Sequence, residues 1–122
     1  MIRGLEIEAL PDGRSLRLAG ELDFSTAPRF MEALRAFPAS DEVRLDLVDL
    51  VSVDSAGLHA FLGLARARGK GSVVLLNPTA SVMRSFELAA IDQHPAIEIR
   101  HGGVSAGSRR ISGSGPSLRR AG

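Results

Sequence analysis

The sequence predicts a single α/β domain built on a mixed β-sheet. Apolar side chains alternate with charged ones, or form short uninterrupted runs, in segments typical of strands. Amphipathic segments with helical spacing separate the later strands, which gives the order β-β-α-β-α-β-α-β. A hairpin requires antiparallel pairing and a crossover through a helix requires parallel pairing. We therefore expect both kinds of pairing in one mixed sheet.

The predicted strands differ in how their apolar residues are arranged. Residues 5–9 and 16–18 alternate apolar and charged side chains, and a Pro-Asp-Gly turn joins them as a hairpin. Residues 43–47 alternate in the same way. Residues 73–76 are uniformly apolar, which is typical of a strand buried on both faces, and residues 97–99 form a short last strand.

Three amphipathic helices are predicted near residues 25–37, 55–68 and 79–90. Ser25 or Thr26 can cap the first of them. The side chains expected to be buried together are Leu45, Leu47, Phe61, Leu62, Val74 and Phe86.

Composition divides the chain into a folded body and a tail. Hydrophobic residues make up 44% of the 122 residues, which is typical of a globular chain with room for one core. Residues 102–122 contain six Gly, five Ser and four Arg but no acidic residue. They cannot bury enough apolar surface to offset the entropy of ordering. We expect residues 1–101 to form the domain and residues 102–122 to be disordered.

Charge and residue types argue against several classes of function. The first 101 residues carry 11 basic and 14 acidic side chains, whereas contacts to nucleic-acid phosphates need a basic surface. No Cys is present and the three His are scattered, so no metal or cofactor is expected. The segment around Ser55 lacks the first Gly of a nucleophile elbow. Asp46 and Asp49 have no basic partner nearby in sequence. We expect a protein that is not an enzyme.

The same composition predicts the compartment. The absence of Cys fits a reducing environment, and the apolar runs are far shorter than the roughly 20 residues that span a bilayer. We expect a cytoplasmic protein without membrane insertion.

The most unusual segment lies between the third strand and the second helix. Asp54 and Ser55 are followed by the small residues Ala56 and Gly57. Gly within a helix costs about 1 kcal/mol relative to Ala, but small residues let another surface approach the backbone closely. Two interpretations stay open: an ordinary Asp or Ser cap with tight helix–sheet packing, or a docking surface.

Several motifs occur together, in one order and at consistent spacing. They are Gly-Glu-Leu-Asp at 20–23, Asp-Leu at 46–47, Val-Asp-Ser-Ala-Gly-Leu at 53–58, Leu-Asn-Pro at 76–78 and Phe-Glu-Leu at 86–88. Over residues 5–100 this combination resembles the STAS domain, and more narrowly the bacterial anti-sigma factor antagonists. The resemblance implies a mixed sheet of four or five strands with three main helices largely on one side.

The resemblance also implies a mechanism, called partner switching. The unmodified antagonist binds an anti-sigma factor, often itself a serine kinase, and thereby releases the sigma factor. Phosphorylation adds about −1.5 to −2 charges at the positive end of a helix and dissociates the complex, and a phosphatase reverses the step. The resemblance implies that Ser55 is the phosphorylated residue. It also implies that the partner is bound by Glu21, Asp23, Ser25, Asp54, Ser55, Ala56, Gly57 and Leu58.

One residue departs from the family pattern. The usual motif is Asp-Ser-Ser/Thr-Gly, with the phosphate commonly on the second hydroxyl, where this chain has Ala56. Either Ser55 accepts the phosphate or the protein binds without being switched. The Asp-Ser-Ala-Gly version also resembles the STAS subunit of bacterial lipid-transport ABC systems, which binds an ATPase. A ligand-sensing module or an enzyme would instead need a concave apolar pocket with convergent polar groups.

Overall fold

The computed structural model describes residues 4–37, 42–68 and 72–102. The elements, in chain order, are β1 (Leu5–Ala9), β2 (Ser15–Leu22), α1 (Ala27–Leu34), β3 (Val43–Val53), α2 (Ser55–Arg66), β4 (Val73–Leu76), α3 (Ala80–Leu88), a 3-10 turn (Ile91–Gln93) and β5 (Ile97–Arg100). This is the predicted order. The predicted tail lies outside the described residues apart from Gly102.

The five strands form one mixed sheet in the spatial order β1-β2-β3-β4-β5. β1 pairs antiparallel with β2, and the other three pairings are parallel. Each helix crossover therefore moves one strand along the sheet in the same direction. Right-handed crossovers of this kind place their helices on one side of the sheet. The mixed-sheet prediction is confirmed.

A cluster of three aromatic rings shows where the helices meet. Phe30 of α1, Phe61 of α2 and Phe86 of α3 are fully buried. The ring centroids of Phe30 and Phe61 lie 5.4 Å apart, and those of Phe61 and Phe86 lie 5.2 Å apart in an edge-to-face arrangement. Such pairs stabilise a core beyond the burial of their area. All three helices thus share one core on one face of the sheet.

The set of side chains predicted to be buried together needs two corrections, at Leu62 and at Val74. Leu62 is only partly buried, and Leu64, which was not predicted, is buried in its place. The buried stripe of α2 runs through Gly57, Ala60, Phe61, Leu64 and Ala65, so Leu62 lies at its border. Val74 is buried as predicted but outside the cluster that contains Val73 and Leu75, because alternate residues of a strand face opposite sides.

The other face of the sheet carries a buried ion pair. Arg17 and Asp46 are register partners on β2 and β3. The guanidinium donates to Asp46 Oδ2 from Nη2 at 3.1 Å and from Nε at 3.3 Å, and the Asp46 side chain is fully buried. Its Oδ1 accepts a hydrogen bond from Val48 N at 3.2 Å. Asp46 therefore has a basic partner that is distant in sequence, and the pair is part of the fold.

β3 is the longest strand of the sheet, and its carboxyl end leads into the candidate functional site. Only its first four residues, Val43–Asp46, pair with β4. The remainder pairs with β2 alone, through two irregularities in register, and ends beside Leu22. No helix within the described ranges is long and apolar enough to cross a membrane.

Candidate functional site

Two chain segments converge where β2 and β3 end side by side. Leu22 and Val53 are register partners, and Asp54 N donates to Leu22 O at 3.1 Å. β2 is followed by the loop 23–26 and β3 by the start of α2. Parallel pairing thus brings the loop and the helix start, 30 residues apart in sequence, to the same edge of the sheet. We call residues 21–26 and 54–58 together the junction.

The carboxylate of Asp54 holds the two segments together. Oδ1 accepts a hydrogen bond from Gly57 N at 3.0 Å, which is the N-cap interaction of α2. Oδ2 accepts one from Phe24 N at 3.2 Å. Of the two residues considered as caps, Asp54 caps the helix, and the same side chain also positions the neighbouring loop.

A second carboxylate organises the loop itself. Asp23 Oδ1 accepts hydrogen bonds from Ser25 Oγ at 2.9 Å, from Ser25 N at 3.0 Å and from Thr26 N at 3.1 Å. These bonds, with that from the Ser25 hydroxyl the largest cause, lower the pKa of Asp23 below its usual value. Thr26 Oγ1 accepts from Asp23 N at 2.9 Å and donates to Glu21 O at 2.9 Å. The loop is therefore rigidly bonded although most of it is exposed.

Thr26 occupies the cap position of α1 but makes no side-chain cap bond to the helix. Its hydroxyl serves the loop instead, as described above. Of the two predicted caps, Thr26 holds the position and neither hydroxyl caps the helix through the side chain.

Gly57 is required by packing. A Cβ at this position would lie 2.7 Å from Leu22 O and 2.9 Å from Val53 Cγ1. Gly57 is buried, so it faces the sheet and not solvent. The tight-packing interpretation of this glycine is the one that the structure supports, and the predicted contact of Gly57 with a partner has no exposed surface to use.

The other predicted partner-binding residues differ in accessibility. Those that are exposed are Glu21, Ser25, Asp54 and Ser55, while Asp23, Ala56 and Leu58 are half-buried. Leu58 packs against the core. The side chains available to a partner are therefore mostly carboxylates and hydroxyls.

Ser55 is the first residue of α2 and is exposed. Amides in the first turn of a helix lack intrahelical acceptors, and this end of the helix carries partial positive charge. Ser55 thus lies at the positively polarised end of α2.

Sequence reasoning missed Phe24. Its side chain is 81% exposed, although it lies in a loop held by hydrogen bonds on both sides. An aromatic residue between an Asp and a Ser at a helix start was the available signal.

Two clefts lie away from the junction. One cleft of about 260 Å³ is lined by Glu6, Glu8, Arg17, Ala19 and Asp49 on the outer sheet face. Another of about 210 Å³ lies between α1 and α2. No group of three or more His, Cys, Asp or Glu in the described part of the chain could hold a metal ion. Neither of these two clefts is lined by a residue of the junction.

The chain was compared with known proteins. A family model described as "Mlab, STAS domain" matches residues 6–100. The anti-sigma-B factor antagonist of Listeria monocytogenes is 31% identical over 88 residues, which cover 69% of this chain and 75% of that protein.

Two crystal structures have a similar fold. One is an anti-sigma factor antagonist from Mycobacterium paratuberculosis, with a TM-score of 0.61 and 22% identity, covering 76% of this chain and 82% of that one. The other is a Thermotoga maritima protein proposed to be such an antagonist, with a TM-score of 0.61 and 19% identity, covering 83% and 88% of the two chains. At these identities the structures establish the fold alone.

Proposed function

Because the chain belongs to the STAS domain family, we propose that it is an anti-sigma factor antagonist: it binds an anti-sigma factor and so releases a sigma factor. The observation that carries the proposal is the Asp54 carboxylate, which accepts from Gly57 N and Phe24 N and joins the loop to the helix start. A preorganised exposed surface of this kind binds a protein at low entropic cost. The 31% identical relative carries the name of such an antagonist.

The proposal includes control by phosphorylation of Ser55. A phosphate there adds about −1.5 to −2 charges beside the carboxylates of Asp54 and Asp23. The first-turn amides of α2 stabilise an anion, so the phosphate competes with Asp54 for the helix end. The partner surface that fits the neutral hydroxyl is then repelled. The anti-sigma factor supplies the kinase activity, and a phosphatase restores the binding form.

The test uses the purified anti-sigma factors encoded by the source organism. Wild-type protein should bind one of them in calorimetry and displace its sigma factor. Incubation with that anti-sigma factor and ATP should place one phosphate on Ser55, as located by mass spectrometry. Ser55→Ala should bind without becoming phosphorylated, and Ser55→Asp should bind more weakly while staying folded, because Asp is also a helix-capping residue.

Ala56→Ser is the matched control for the switch. If only Ala56→Ser accepts phosphate, the natural protein binds constitutively and the phosphorylation proposal fails, whereas the antagonist proposal survives. Absence of binding to every anti-sigma factor of the organism would contradict the antagonist proposal itself.

A second candidate is a STAS subunit that binds the ATPase of a lipid-transport ABC system. Two observations favour it: Ala56 stands where antagonists commonly carry the phosphorylated hydroxyl, and the matching family model bears the description "Mlab". Binding to a purified ABC ATPase of the source organism, with no binding to its anti-sigma factors, would select this candidate.

A further inference from the structure

Phe24 is an unusual side chain for the surface of a small domain. It is 81% exposed, whereas the other four phenylalanines pack into the core or against it. Its backbone is fixed, because Phe24 N donates to Asp54 Oδ2 and the next two amides, Ser25 N and Thr26 N, donate to Asp23 Oδ1. The ring is therefore presented to solvent from a rigid loop. Exposing an aromatic ring in this way has no benefit for folding.

The surroundings of Phe24 are acidic. The junction, residues 21–26 and 54–58, contains three acidic side chains, Glu21, Asp23 and Asp54, and no Lys or Arg. The nearest Lys or Arg along the chain, Arg29, donates to Leu5 O at 2.7 Å. The carboxylate of Asp54 accepts from the Phe24 backbone itself. An aromatic ring bordered by carboxylates fits an apolar pocket bordered by basic side chains.

We propose that Phe24 is the principal anchor of the docking surface and inserts into an apolar pocket, rimmed by Lys or Arg, on the anti-sigma factor. This inference rests on the proposed function. A few aromatic residues near the centre of an interface commonly carry most of its binding energy, and a side chain already held in its bound position loses little entropy on association. The acidic rim accelerates encounter with a basic partner and fixes the orientation of the complex.

The anchor also connects recognition to regulation. Asp54 accepts from Phe24 N with the carboxylate that caps α2. An anion at Ser55 that takes over the helix end releases Asp54, and with it the position of Phe24. The phosphate thus acts on the anchor through a hydrogen bond that the structure contains.

The experiment compares Phe24→Ala with Leu88→Ala. Leu88 is a matched control because its side chain is 84% exposed and lies at the end of α3, far along the chain from the junction. Affinity for the purified anti-sigma factor is measured by calorimetry for the wild type and both variants. Thermal unfolding of the free proteins shows that folding is unchanged.

Phe24→Ala should weaken binding about 30-fold or more, as expected for an interface hot spot. Leu88→Ala should stay within about twofold of the wild type, as expected away from the interface. Glu21→Gln should slow association and reduce its dependence on ionic strength, since Glu21 belongs to the rim. Equal affinities of Phe24→Ala and wild type would overturn the anchor but leave the antagonist function standing. A wild-type protein that binds no anti-sigma factor would overturn both.

Discussion

Asp46 lies within β3 and Asp54 directly follows it, and their carboxylates bind different groups. Asp46 is fully buried and binds the guanidinium of Arg17 and the amide of Val48. Asp54, eight residues later, is exposed and binds the amides of Gly57 and Phe24. The first carboxylate joins two strands inside the sheet, and the second joins two segments at its edge. The comparison separates β3, which maintains the fold, from the exposed segment that follows it at the start of α2.

The largest effect on stability is expected at Asp46. Asp46→Asn removes the charge opposite Arg17 inside the sheet, and breaking a buried ion pair costs about 3–5 kcal/mol of unfolding free energy. Chemical denaturation measures the loss. Glu98→Gln is the control. The Arg100–Glu98 pair is exposed, so this substitution should change the unfolding free energy little. Equal effects of the two substitutions would show that the Asp46 pair does not maintain the fold.

Gly57→Ala should come next in size. The new methyl group would lie 2.7 Å from Leu22 O, a backbone atom that cannot move without disturbing the end of β2. Overpacking costs about 1–3 kcal/mol, against about 1 kcal/mol that Ala contributes as the better helix former.

Gly63→Ala is the matched control in the same helix. A Cβ at Gly63 meets no atom within 4 Å, so this substitution should stabilise the protein by up to about 1 kcal/mol. Relative to the wild type, the denaturation midpoint should fall for Gly57→Ala and rise for Gly63→Ala. A stabilising Gly57→Ala would contradict the packing role of this glycine.

Asp54 distinguishes capping from the positioning of the loop. Asp54→Ala should cost about 1 kcal/mol of stability through the lost cap. Asp54→Ser should keep the bond to Gly57 N, and with it most of the stability, but it has no counterpart of Oδ2, the oxygen that accepts from Phe24 N. Both variants should therefore bind the partner weakly, whereas only Asp54→Ala should be destabilised. Wild-type affinity in Asp54→Ser would show that the bond to Phe24 is dispensable.

The smallest expected effect is on the titration of Asp23. The Ser25 hydroxyl is the main cause of its lowered pKa, so Ser25→Ala should raise that pKa toward the usual value. The lowered pKa means that the carboxylate stabilises the folded loop at neutral pH, and this contribution is lost as the pH falls through the folded-state pKa. Carboxyl ¹³C chemical shifts measure it, with Asp12 as the internal reference that should not move. An unchanged Asp23 titration would contradict the role of the hydroxyl.

The sequence predicted the element order well, because strand alternation and helical spacing are local signals. It placed Leu62 in the core and did not single out Leu64, because Leu62 lies at the border of the helical stripe and Leu64 within it, and only packing separates the two. It could not pair Asp46 with Arg17, which lies 29 residues away and becomes its neighbour only through strand register.

The junction was predicted in part. The motif around Asp54 and Ser55 indicated the location, and the capping role of Asp54 is confirmed. The bond from Phe24 to Asp54 depends on two strand ends lying side by side, so no local pattern predicts it. Gly57 was open to two interpretations until the distance to Leu22 O decided for packing.

Amide hydrogen exchange in the presence of the anti-sigma factor tests the central claim most directly. If partner binding uses the junction, amides of residues 23–26 and 54–58 should gain protection in the complex, with Phe24 N among them. The strands around Arg17 and Asp46 should exchange as in the free protein. Protection confined to the outer sheet face around Asp46, with the junction unchanged, would contradict the account.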